Sequence, residues 1–116
     1  MATVKLTLPL PMNRANARWH WATEMRIKRS YYDKCLVRYG KTPKTTMQRA
    51  KISVKFFLHQ KMDDDNLRSR LKWPLDWLVI RGVIKNDSPD VLVWGPVTQE
   101  VDRKDKRIEI ELEEVE

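Results

Sequence analysis

The chain contains a single cysteine, Cys35, which excludes an internal disulfide and any cysteine-based zinc site. It also lacks an apolar run approaching the roughly 20 residues needed to cross a bilayer. Its start, Met1-Ala2-Thr3-Val4-Lys5, has no basic segment leading into a long hydrophobic stretch, so no secretory signal is expected. No internal repeat and no linker long enough to divide domains interrupts the 116 residues. These absences predict one cytosolic domain, residues 1–116, without a membrane partner.

What is present is charge of one sign. Lys and Arg number 23 against 16 Asp and Glu, a formal net charge of +7. Such a balance favours an anionic partner, nucleic acid first and a membrane surface second, with a merely solvated basic surface as the plainer alternative. The apolar share of 41% suffices for a modest core, and five Trp in so short a chain are candidates to cap it or an interface.

Hydrophobic periodicity gives the elements. Val4, Leu6 and Leu8 alternate with polar neighbours, predicting a first strand that Pro9 and Pro11 end. The basic segment from Met12 to Arg18 follows, where Asn13, Arg14 and Arg18 suit a phosphate grip or an ordinary polar connector. From Trp21 to Tyr39 the spacing is helical, with Met25, Tyr32, Leu36 and Tyr39 on one face and Gly40 as the stop. A second strand is predicted over 50–62, its even positions apolar and its odd positions Lys51, Ser53, Lys55, Phe57, His59 and Lys61.

A helix then starts near Asp65 or Asn66, with Leu67, Leu71, Leu75 and Leu78 at helical spacing. Pro74 predicts a kink there, with 75–80 as a second piece ending at Arg81-Gly82. A short extended piece and a turn cover 83–90. A strand from Val91 to Trp94 is predicted to break at Gly95-Pro96, and a last strand alternates Ile108, Ile110 and Leu112 with glutamates. The fold class is α+β, with four or five strands in a small sheet and two main helices.

The acidic run Asp63-Asp64-Asp65-Asn66 stands out in this basic chain. Adjacent carboxylates at a strand-to-helix junction repel one another unless a cation neutralises them. Continued strand alternation would set Asp63 and Asp65 on the odd, basic face, ending a strip of Lys51, Lys55 and Lys61, with Arg68 and Arg70 beyond it. Asp87 is the third candidate ligand, returned beside the strand end by the intervening helix. Oxygen-only carboxylate sets suit Mg²⁺ or Mn²⁺, which bind phosphates and activate water. Lys72 can stabilise transition-state charge or simply pair with Asp76, four residues on. His59 is a surface histidine, a base or a phosphate contact. Trp19, Trp21, Tyr31 and Tyr32 are candidates for base stacking or for the core. Against the metal reading stands an acidic turn with one residue capping a helix.

The pattern Asp63-x-Asp65-Asn66-Leu67, then Lys72 and Asp76-x-Leu78, then Gly82-Val83-Ile84-x-Asn86-Asp87-Ser88 resembles the RusA family of Holliday junction resolvases, common in phages and prophages. The early Leu10-Pro11-Met12-Asn13 is similar to a segment near the family's start. The resemblance implies a mixed α/β fold and a homodimeric, Mg²⁺-dependent endonuclease that cuts four-way DNA junctions in the bacterial cytosol. It places the metal-binding aspartates at Asp63, Asp65 and Asp87, and the catalytic lysine at Lys72 or a near neighbour. Two departures mark this chain. Ser69 occupies the position where the short motif has its lysine, and Asn86 stands where the family often has a second acid.

Three functions compete at this stage. The leading one is a junction-cutting DNase. The second is a DNA-binding protein of the same fold without cleavage, and the third a structural or inhibitory partner protein.

Overall fold

In the computed structural model, residues 2–11, 20–40 and 45–115 are described. Asn13, Arg14, Arg18 and Trp19 lie outside them. The order is β1 (Thr3–Pro9), α1 (Trp21–Arg38), β2 (Ala50–Leu58), α2 (Asp64–Ser69), α3 (Lys72–Ile80), β3 (Leu92–Val101) and β4 (Arg107–Glu114). The architecture is α+β, as the alternation of periods 2 and 3.6 in the sequence demands.

The four strands form one mixed sheet in the order β1-β4-β2-β3. β4 pairs antiparallel with both β1 and β2, whereas β3 runs parallel to β2, with Ala50 opposite Leu92 and Leu58 opposite Val101. Parallel neighbours need a crossover, because the chain must travel back along the whole strand before it can start again. α2 and α3 supply that return. An isolated parallel bridge between Met47 and Ile84 then sets the level at which the returning chain re-enters.

Alternation decides which sheet face is covered. Leu6 and Leu8 of β1, Ile52, Val54 and Phe56 of β2, and Ile108, Ile110 and Leu112 of β4 are all buried on one side. Tyr31 and Cys35 of α1 and Trp73, Leu75, Trp77 and Leu78 of α3 pack in the same core. Each such large side chain contributes about 1.5–3 kcal/mol by leaving water. The buried stripe of α1 runs through Tyr31 and Cys35, not through Met25 and Leu36, which are exposed. Of the expected face, Tyr32 and Tyr39 pack against the edge of the core, while the helix's most deeply buried positions are the neighbouring Tyr31 and Cys35.

Two breakers act elsewhere than their sequence suggests. Pro74 is the third residue of α3, in the first turn, where its missing N–H leaves no intrahelical bond unmade. The helix break falls earlier, at Arg70 and Leu71, so α3 begins at Lys72. Gly95-Pro96 does not end β3. The strand continues to Val101, with a bulge opposite Ile52–Val54 that absorbs the pair. Proline is tolerated here because β3 is an edge strand. Gly95 is needed because a Cβ there would lie 2.7 Å from Ser53 Oγ and 3.1 Å from the Ile52 carbonyl. At the end of α3, Gly82 has φ +80°, and the N–H groups of Gly82 and Val83 donate to the carbonyls of Val79 and Leu78.

Candidate metal and nucleic-acid site

The acidic run heads α2. β2 ends at Leu58, so strand alternation does not reach the aspartates. Asp63 is the N-cap, with φ −65° and ψ 147°, and its side chain makes no capping hydrogen bond. Asp64 and Asp65 occupy the first helical turn, where the partial positive charge of the helix start favours carboxylates. All three are exposed. Asp63 is extended and Asp65 helical, so the strand parity expected to pair them does not apply, and the expectation that the strand runs to Met62 is corrected.

Asp87 lies on the segment between α3 and β3, also exposed. The neighbouring turn is closed by Asn86, whose Oδ1 accepts hydrogen bonds from Ser88 N at 3.0 Å and Ser88 Oγ at 2.6 Å. The crossover decides where this segment falls. Asp87 precedes Leu92, which pairs with the start of β2 at Ala50. Asp63 instead follows the end of β2, and the adjacent Met62 exchanges two 2.8 Å hydrogen bonds with the Gln99 side chain, opposite Phe56. At about 3.3 Å per strand residue the two levels are on the order of 20 Å apart. Within one chain, then, the helix does not return Asp87 beside the strand end. Among the described residues no group of three or more His, Cys, Asp or Glu side chains is close enough to hold a metal ion.

Lys72 opens α3 and its Nζ stands 3.5 Å from Asp76 Oδ2. The same oxygen is 3.3 Å from Lys28 Nζ of α1. Burial works against the Lys28 charge, yet Tyr32 and Asp76 outweigh it and hold its pKa above the ordinary lysine value. Lys72 remains 61% exposed and is the outer member of this trio.

The expected basic strip is only half basic. Across β2 and β4, Lys51 faces Glu113, Ser53 faces Glu111 and Lys55 faces Glu109. Lys55 also approaches Glu100, and Lys5 approaches Glu111, each at 3.9 Å. Phe57 on this same face is buried beneath Arg107, whose guanidinium lies 3.7 Å from the ring centroid. Glutamates on β4 therefore cancel most of the β2 lysines' field, a relationship invisible until the strands are paired.

A second group of cations surrounds α2, beside the three carboxylates at its head. Lys61 is exposed just before it. Arg68, on its last turn, lies 5.5 Å from the Trp94 ring centroid. Arg70 follows, half-buried, its guanidinium pKa lowered by burial. Trp94, 41% exposed on the edge strand, was not singled out by sequence; the signal was a Trp directly before the bulge-forming Gly95-Pro96. Of the other aromatic candidates, Trp21 is exposed at the head of α1, whereas Tyr31 is buried and donates from its hydroxyl to the Pro9 carbonyl at 2.8 Å. Tyr32 is half-buried beneath Lys28. His59 is exposed just beyond β2.

Among the described residues no helix is long and apolar enough to cross a membrane. Compared with known families and with curated proteins, the chain matches no family model and no curated sequence.

Proposed function

We propose that the protein is a RusA-like, Mg²⁺- or Mn²⁺-dependent endodeoxyribonuclease that cuts four-way DNA junctions in the cytoplasm as a homodimer. The observation that carries this reading is the head of α2. There three exposed carboxylates, none spent on a capping hydrogen bond, stand among Lys61, Arg68 and Arg70 in a chain of net charge +7. Exposed carboxylates with cations close by suit a site that receives both a divalent ion and a phosphodiester.

Among the described residues no three carboxylates lie close enough to hold one ion, although Mg²⁺ needs only one or two carboxylates when water and substrate phosphates complete its shell. We take Asp63 and Asp65 of one protomer with Asp87 of its partner as the fuller donor set. Two-fold symmetry would then make two such sites, matching paired cuts across a four-way junction. A divalent ion held there would polarise the scissile phosphate and activate water. The chain's own part is to hold the carboxylates on a rigid helix start and to bind flanking phosphates with Lys61, Arg68 and Arg70.

A second reading, a junction-binding protein without cleavage, is favoured by one observation. Lys72, the candidate charge stabiliser, is paired with Asp76. Incubating a labelled four-way junction with the protein, with and without Mg²⁺ or Mn²⁺, separates the two. Metal-dependent, symmetric cuts support the nuclease. Binding with no cut in either metal supports the second reading.

A further inference from the structure

Behind the acidic run lies a hollow of about 410 Å³, lined by Leu10, Leu58, His59, Gln60, Met62, Arg70 and Lys106. Its polar side chains are cationic or neutral, and no carboxylate borders it among the described residues. Lys106 comes from the connection between β3 and β4, His59 from the end of β2 and Arg70 from the C-terminal cap of α2. Three separate elements thus bring nitrogen donors to one concavity.

Arg70 is the telling member. Its Nε is buried and has no hydrogen-bond partner. The neighbouring cations are better served: Arg107 has Asp102, Asp105 and Glu109, and Arg68 has the Trp94 ring. Burying a guanidinium nitrogen without an acceptor costs free energy. Arg70 lines the hollow, and a guanidinium's planar fork matches phosphate oxygens better than an ammonium does.

We infer that this hollow is a phosphate-binding subsite, with Arg70 as its anchor and Lys106 and His59 as flanking donors. Met62 lines it and is covalently next to Asp63, while Arg70 follows Asp63 by seven residues. Along a helix that separation is about 10 Å, so a phosphate held here is a near neighbour, on one strand, of one placed at the acidic run. The subsite fixes the strand's register beside the cut. That the phosphate belongs to DNA rests on the nuclease reading; that the hollow takes a phosphate does not.

The test uses inorganic phosphate as probe, titrated at constant ionic strength against chloride. The amide resonances of residues 59, 70 and 106 are followed in the wild-type protein, Arg70→Gln, Arg70→Lys and the distant Lys51→Gln. Saturable shifts are expected in wild type and Lys51→Gln, with affinity reduced at least fivefold in Arg70→Gln and partly kept in Arg70→Lys. Absence of saturable shifts in wild type, or equal affinity in Arg70→Gln, overturns the subsite. Four-way junction binding is then compared between wild type and Arg70→Gln. A loss of fivefold or more is expected, and an unchanged affinity removes the DNA assignment while leaving the phosphate site. Phosphate binding by a protein that binds no junction at all would count against the nuclease reading alone.

Discussion

Asp76 is held by two lysines from two helices: Lys28 of α1 at 3.3 Å and Lys72 of α3 at 3.5 Å, both to the same Oδ2. The two contacts are not equivalent. Lys28 is the more enclosed partner, with 28% of its side chain exposed against 61% for Lys72.

The stability consequence follows from that difference. Asp76→Ala strands the enclosed Lys28 ammonium and is expected to cost about 1–2 kcal/mol. Lys72→Ala removes an exposed i,i+4 pair and should cost under about 0.5 kcal/mol. Urea denaturation of the two variants checks the order. If Lys72 also stabilises charge during cleavage, Lys72→Ala should lose more than about tenfold in rate while folding normally. Full activity in that variant would remove Lys72 from the site.

The crossover topology makes a prediction that one-chain variants cannot. Asp65→Asn and Asp87→Asn should each abolish metal-dependent cleavage and keep junction binding. Mixed and allowed to exchange subunits, they should regain about a quarter of wild-type activity. Half of randomly assembled dimers are mixed, and each carries one intact site of two. Three ligands drawn from one chain would give no recovery.

Cations should differ in worth according to what faces them. Lys51→Ala and Lys55→Ala, opposite Glu113 and Glu109, are expected to weaken junction binding less than about twofold. Lys61→Ala and Arg68→Ala, free of carboxylates across a strand, should weaken it about fivefold or more and flatten its salt dependence. Equal effects at all four positions would argue for a diffuse basic surface.

Cys35 is buried, and that burial pushes its thiol pKa from 9.0 up to about 12. A group whose folded pKa is raised stabilises fully below its unfolded value and loses that contribution as pH rises through the folded value. Thermal stability should therefore fall between about pH 9 and pH 12, and Cys35→Ala should show a shallower decline over that window. At pH 8 the native thiol should react with a disulfide reagent only as fast as the protein unfolds.

Much of the fold was legible because burial and period coincide: Ile52, Val54 and Phe56, or Ile108, Ile110 and Leu112, alternate in sequence and are buried in space. Pro74 and Gly95-Pro96 were read as breaks because their effect depends on surroundings. A proline in a helix's first turn, or at a bulge in an edge strand, interrupts nothing that needed its N–H. The candidate residues were chosen by chemical type and spacing, which carry no geometry. Asp63, Asp65 and Asp87 are exposed, and no local pattern reveals that β3 runs parallel to β2. That pairing alone moves Asp87 to the far end. Nor does β2's own sequence disclose that its lysines look across at glutamates.

The bulge at Gly95-Pro96 bears on how copies of this protein can meet. β3 is one margin of the sheet, and a straight, hydrogen-bond-hungry margin invites another chain to add itself as a further strand, copy after copy, into fibres. A backbone bent there, with proline presenting no donor, spoils that template. The molecule can keep Val93, Trp94 and Val101 exposed along this rim without that margin inviting such polymerisation.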